Sequence, residues 1–196
     1  KKHGPEAALE LGHSLVCGDL KIERIKSWLS FIKKNPKSIL FCFRGGKRSE
    51  VAKLWLSEYG VNIPIVKGGY KSLRNTCIEL LDLAPNQGKK WIIIGGFTGS
   101  NKTNLIKNNK KAINLEMIAN HRGSAFGSYA TPQPSQINFE NNLAFSYLNH
   151  ISDILLLEDE SKTIGKNYLP KGWYEKMQSS ALIIIRAPME ERINNI

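Results

Sequence analysis

The chain has 196 residues, 41% of them hydrophobic, which is enough for one sizeable core or two small ones and too much for a disordered segment. Its 28 Lys and Arg against 17 Asp and Glu leave a net charge of +11, which suits either a polyanionic partner held through counterion release or a merely soluble basic protein. No apolar run reaches the roughly 20 residues of a membrane-spanning helix, and no signal-like segment follows the lysine-rich start. Cys17, Cys42 and Cys77 lack metal-ligand spacing, so the reading is a cytoplasmic protein with no membrane partner and room for one reactive thiol.

In chain order, Ile22, Ile25, Leu29 and Ile32 fall on one face of a helix expected from Ser14 to Lys34, and "KKNP" supplies a basic last turn and a proline stop. "SILFCF" reads as a short strand ending in a glycine-rich turn. A helix is expected from Lys47 to Tyr59, with Gly60 as its stop. "IPIV" is a second strand, "KGGY" a turn, and a further helix runs to about Leu83. That order predicts a parallel sheet with crossover helices. "APNQGKK", Ala84 to Lys90, has the composition of a linker and divides the chain into domains 1–84 and 85–196. After it come a strand "WIIIGG", a helix Lys102–Asn108, a strand "AINLE", a helix Gln136–Leu148 and two strands, "DILLLEDE" and "ALIIIR". "PMEERINNI" opens a last helix with its proline early. The fold class is α/β in both halves.

"CFRGGKRS" sets Cys42 at the carboxyl end of a strand, before a Gly-Gly turn that enters a helix. Backbone amides, the positive end of a helix dipole and two arginines, Arg44 and Arg48, all favour a thiolate there, so Cys42 is the candidate nucleophile; a buried strand cysteine before an ordinary turn is the alternative. Cys17 and Cys77 read as packing residues. The stretch resembles the active-site loop of rhodanese-like sulfurtransferases, in which a cysteine carries sulfur as a persulfide. Here one more residue precedes Arg48 and Ser49, enclosing a larger anion, and a phosphatase-like or oxyanion-reducing reading stays open.

"GGFTGSNKT" approaches the phosphate-loop pattern G-x-x-x-x-G-K-[ST] in the right strand-to-helix context. Gly96, Lys102 and Thr103 match, Gly99 and Ser100 add turn backbone, and Asn101 replaces a glycine. Asparagine is the best of the other residues at the left-handed conformation, so the loop is expected to form, with Lys102 on a terminal phosphate and Thr103 on a phosphate oxygen or a metal ion. A glycine-rich turn that binds nothing is the alternative. Glu158 and Asp159, at the end of "DILLLEDE", are candidates to orient magnesium or water, or form a solvated acidic turn. Glu116, His121, Arg122 and Ser124 crowd a loop beside glycines and could bind phosphate or sugar and move protons, or be surface polarity alone.

"ANHRGSAFG", "QPSQINFE", "LLEDESKTIG", "GGYKSLR" and "CFRGGKRS", with the altered phosphate loop, resemble the tRNA 2-selenouridine synthase family in the same order along the whole chain. The resemblance implies a rhodanese-like domain, short of its opening strand and acidic motif, followed by a P-loop NTPase-like α/β domain that lacks a helical C-terminal region. It implies an enzyme that acts on the wobble uridine of the tRNA anticodon region. There it adds a geranyl group from geranyl diphosphate to the sulfur of 2-thiouridine and displaces it with selenium from selenophosphate, the small-molecule selenium donor. Cys42 would hold selenium as a perselenide, with Arg44, Gly45, Gly46, Arg48 and Ser49 around the incoming selenophosphate. Gly96, Gly99, Ser100, Asn101, Lys102 and Thr103 would grip a diphosphate. No tightly bound cofactor is implied, and magnesium is left open because the family has glycine at the place of Asn101 and aspartate at that of Asn114. A rhodanese-type sulfurtransferase and a decayed basic tRNA-binding module are the other readings. Nothing in the sequence reads on oligomeric state.

Overall fold

Gly18 adopts φ 53°, a left-handed conformation at which the helix expected from Ser14 to Lys34 begins, four residues later than expected, while a separate helix that was not expected precedes it. In the computed structural model, which describes residues 4–123 and 127–195, these are α1 (Gly4–Leu15) and α2 (Gly18–Lys34). α3 (Lys47–Ser57) follows, burying Ser49, Ala52 and Leu56, a spacing that makes one helical face. α4 (Tyr70–Leu83) comes next. The chain divides into two compact units between Leu73 and Arg74, inside α4 and ahead of the position at Ala84 suggested by composition.

In the first unit the two expected strands shrink to a single parallel bridge, Leu40 to Ile65, held by Leu40 N–H to Pro64 O (2.8 Å) and Val66 N–H to Leu40 O (3.0 Å). Both runs are apolar enough for strands. Among the described residues, however, no further strand flanks the pair, and Phe41 and Phe43 on either side of Cys42 stay exposed.

The second unit is an α/β structure around a parallel sheet. It runs β1 (Lys90–Gly96), α5 (Lys102–Lys107), α6 (Leu115–Ala119), α7 (Gln136–Leu148), β2 (Ile154–Glu158), β3 (Thr163–Ile164), β4 (Asn167–Tyr168), α8 (Lys171–Gln178), β5 (Ala181–Ile185) and α9 (Met189–Asn194). The sheet order is β2-β1-β5, with Lys90 opposite Ile154 and Ile92 opposite Ala181, so β1 is central. That place explains its nearly unbroken apolar run. Trp91 packs edge-to-face on Trp173 at 4.9 Å, and Trp173 Nε1 donates to Leu81 O (2.9 Å). Ala84 and Pro85 are buried in a short 3-10 turn, and Tyr147 Oη donates to Ala84 O (3.3 Å), so the start of the expected linker is core. "AINLE" is not a strand. Ala112 makes one bridge to Leu156, and Asn114 then caps α6, its Oδ1 accepting from Met117 N (2.6 Å), which ends the extended run. The β3–β4 hairpin and α8 had no clear signal in the sequence. Among the described residues no helix is long and apolar enough to cross a membrane.

Candidate functional site

Cys42 follows the Leu40 bridge and is nearly buried, whereas Arg44 and Arg48 are exposed. Gly45 (φ 77°) and Gly46 (φ 87°) both take left-handed backbone, and Gly46 caps α3, so the turn wraps the sulfur in the first amides of an eleven-residue helix. Burial pushes the Cys42 thiol up. Hydrogen bonds from the Ser49 side chain, then from the backbones of Ser49, Gly46 and Arg44, outweigh it and bring the thiol down to about 7. Ser49 is buried, and its hydroxyl donates to Gly46 O (2.7 Å). A residue not singled out from the sequence completes this site. Gly69 (φ 65°) lies directly against the cysteine, so that a Cβ there would collide with Cys42 O and stand 3.2 Å from Sγ, and Tyr70 N–H donates to Cys42 O (2.8 Å). The "KGGY" turn was the available signal, since two adjacent glycines mark a close backbone approach.

In the second unit β1 runs into the turn 97–101 and α5. Gly96 (φ 151°) has no room for a side chain, because a Cβ would lie 2.7 Å from both Ile185 O and Ser100 Oγ. Asn101 stands at φ 65°, ψ 23°, the left-handed region expected of it. Gly99 is pressed against Arg192 O, Arg192 Nε donates to Thr98 O (2.9 Å), and Asn195 Nδ2 donates to Gly99 O (2.9 Å), so α9 clasps the turn. Lys102 folds back, its Nζ donating to Gly96 O, and Thr103 Oγ1 donates to Glu116 Oε2 (3.2 Å). Ser100 Oγ is buried and has no hydrogen-bond partner among the described residues.

Three acids gather near Lys102. Glu158 is almost fully buried. Its Oε2 accepts from Leu115 N (2.8 Å), while Oε1 has no partner among the described residues. Burial pushes its carboxyl up to about 7, with Glu116 adding to the rise and Lys102 opposing it. Glu160, which has no motif to mark it in the sequence, is also buried, and burial with the Glu116 and Glu158 charges raises it to about 8. Gly123 abuts its carboxylate, so a side chain there would have to displace Glu160. Asp159, expected to work with Glu158, follows the strand end and is exposed. His121 is buried, its Nδ1 accepting from Gly123 N (3.2 Å), and Arg122 lies over the Tyr129 ring at 5.2 Å. Ser124 lies outside the described residues.

Residues 89–196, just over half of the chain, match the family model described as tRNA 2-selenouridine synthase AAA domain. The chain belongs to the tRNA 2-selenouridine synthase family. It is similar to the curated protein named tRNA 2-selenouridine synthase of Shewanella halifaxensis, 48% identical over 196 residues that cover 98% of this chain and 53% of the relative. The proteins of the same name from Shewanella loihica and Shewanella pealeana are 45% and 47% identical over 199 residues, covering all of this chain and 53% and 54% of theirs. The chain thus spans about half the length of the curated relatives it matches. No solved structure matches it.

Magnesium, which the resemblance left open, would need oxygen ligands beside this turn. Thr103 is engaged with Glu116, Glu158 is turned inward to Leu115 N, and no group of three or more His, Cys, Asp or Glu among the described residues could hold a metal ion. The donors at the turn, Ser100 Oγ, Lys102 Nζ and Thr103 Oγ1, fit an anion better than a cation. Asn114 serves as a helix cap, a role its amide fills as an aspartate would.

Proposed function

We propose that the chain carries two sites of an enzyme that replaces the sulfur of 2-thiouridine in the tRNA anticodon region with selenium, by S-geranylation followed by selenium exchange. The observation that carries this reading is Cys42, a nearly buried thiol brought to about 7 by the Ser49, Gly46 and Arg44 hydrogen bonds beside two exposed arginines. Such a thiol is substantially ionised at neutral pH and sits where an anionic selenium donor is neutralised. Cys42 is the reactive thiol of a rhodanese-like unit: selenium passes from selenophosphate to C2 of the base at the selenide level, water takes the phosphoryl group as phosphate, and the thiol gives its proton to the leaving geranylthiolate. Arg44, Arg48, Ser49 and the Gly45–Gly46 amides receive selenophosphate.

The turn of Gly96, Gly99, Ser100, Asn101, Lys102 and Thr103 acts as the phosphate loop and takes the diphosphate of geranyl diphosphate. Support comes from the left-handed Asn101 and from the buried, unpartnered Ser100 hydroxyl, a donor that a phosphate oxygen would satisfy. Lys102 exchanges Gly96 O for the same anion. In that step the sulfur forms a bond to the first geranyl carbon, the carbon–oxygen bond to diphosphate breaks, and the uridine N3 proton is released. Glu116, His121, Arg122 and Ser124 are candidates at this second site, with Glu158 and Asp159 beside it. The net charge of +11 supports tRNA as the partner, and a tRNA substrate puts the enzyme in the cytoplasm.

The test is nucleoside mass spectrometry of 2-thiouridine tRNA incubated with selenophosphate, geranyl diphosphate and the full-length protein that contains this chain, beside its Cys42→Ala variant. Selenouridine from the parent alone, with geranylated uridine accumulating in the variant, is the expected result. Sulfur transfer to cyanide without tRNA dependence would favour a rhodanese-type sulfurtransferase instead. Salt-sensitive tRNA binding with no modified uridine would leave a decayed tRNA-binding module.

A further inference from the structure

Selenium delivery as described uses backbone amides, arginines and one thiol, yet the same unit has a large apolar chamber beside them. A cavity of about 650 Å3 opens next to Cys42, walled by Leu9, Gly12, Val16, Trp28, Ala52 and Trp55. The volume falls within the range of about 300–1,000 Å3 found for small-molecule sites. Trp28 and Trp55 stack at 6.3 Å with 19° between their planes, forming one continuous aromatic wall. Arg24, Lys47 and Arg48 line the same cavity as cations. A selenophosphate ion has no use for walls of Leu, Val and Trp, which offer it no donors.

We propose that this cavity takes the geranyl group of S-geranyl-2-thiouridine and so holds the sulfur-bearing carbon of the base against Cys42 during selenium exchange. The inference rests on the two-step reading above and names where the alkylated base is held. A branched ten-carbon chain matches walls that offer almost no hydrogen bonds, and the anionic nucleotide to which it is tethered matches Arg24 and Arg48. A stacked nucleobase in the same place would set its polar edges against Leu9, Val16 and Ala52. The leaving group gains too. When the selenium of selenophosphate bonds to C2, the C2–S bond breaks with its electron pair on sulfur, and water takes the phosphoryl group as phosphate. The geranylthiolate takes a proton to become a neutral thiol that the apolar walls retain. The cavity also orders the reaction, because 2-thiouridine without the chain has nothing to anchor it there.

The experiment compares anticodon stem-loop RNAs carrying S-geranyl- or S-methyl-2-thiouridine, with selenophosphate and the full-length protein. The parent is expected to favour the geranyl RNA by about tenfold or more in kcat/KM, since even one methylene in an apolar pocket is worth about 10–200-fold. A Cβ at Gly12 meets no atom within 4 Å, so Gly12→Phe puts bulk into the cavity without a backbone collision. It is expected to bring the preference to near unity through KM. Fluorescence anisotropy of the parent with the two RNAs reads the same preference without any variant. Conversion of both RNAs with equal kcat/KM by the parent, or a preference undiminished in Gly12→Phe, would overturn the cavity assignment while leaving the two-step reading intact. No selenouridine from either RNA would instead bring down the two-step reading, and this inference with it.

Discussion

The turn that holds Cys42 and the turn from Gly95 to Thr103 share a plan, a β segment running through glycines into a helix, and differ in where their chemistry comes from. Around Cys42 the reactive atom is a side chain and its environment is local: Arg44, Gly46 and Ser49 lie within seven residues, and only Gly69 and Tyr70 come from farther along the chain. In the second turn the backbone is local but is fixed by distant groups, Arg192 and Asn195 clasping Thr98 and Gly99 from α9, with Glu158 and Glu160 raised by burial nearby. A thiol can be tuned by a handful of consecutive amides. These carboxyls are shifted chiefly by a core that removes them from water, with neighbouring acids adding to the rise.

The largest effects should come from breaking each turn separately. Gly69→Ala drives a methyl group into Cys42 O at a positive φ, and Gly99→Ala does the same against Arg192 O. A displacement on the order of 1 Å costs about a hundredfold in rate. Selenium exchange on pre-geranylated RNA should therefore fall about that far in Gly69→Ala, and geranylation of 2-thiouridine RNA in Gly99→Ala. If either variant lost both steps equally, the two turns would not be separate sites. Next in size, Asn101→Val forces a β-branched residue into the left-handed region, a cost of about 1–2 kcal/mol. Titration calorimetry should find geranyl diphosphate bound roughly tenfold more weakly, while Asn101→Gly binds as well or better. Equal binding by parent and both variants would remove this turn from the diphosphate site.

The buried acids sharpen the contrast through pH. Glu158 and Glu160 rise from 4.5 to about 7 and about 8, so the folded protein holds protons that the unfolded chain has released. Their contribution to stability is complete below about 4.5 and is lost as pH rises through 7 and 8. Thermal unfolding should accordingly occur at a lower temperature at pH 8.5 than at pH 6, and Glu160→Gln should flatten that difference; a pH-independent midpoint in the parent would contradict the burial argument. The smallest effect is expected at Ser49→Ala. Loss of its hydroxyl should move the Cys42 thiol up from about 7, and a rise of about one unit slows iodoacetamide alkylation at pH 7 by roughly three- to tenfold.

What was legible before folding was whatever depends on consecutive residues. The apolar runs of β1, β2 and β5, the α7 periodicity, the Gly45–Gly46 turn beside Cys42 and the left-handed Asn101 all follow from local pattern and backbone sterics. The misreadings share a cause as well. "SILFCF" and "AINLE" have strand composition, but extended structure is completed only by a partner strand, and Asn114 ends the second run by capping α6. "APNQGKK" has turn composition, yet Ala84 is buried against Tyr147, a contact sixty-three positions away. By itself, then, the sequence determined the strands of the second unit's sheet, the two turns and the family resemblance, because each is written in short stretches of chain. Tertiary structure alone decided that Gly69 backs the thiol, that α9 clasps the second turn, that Glu160 is buried and that an apolar chamber lies beside Cys42. Those facts depend on what surrounds a residue in space, and burial and close approach have no signature in its sequence neighbours.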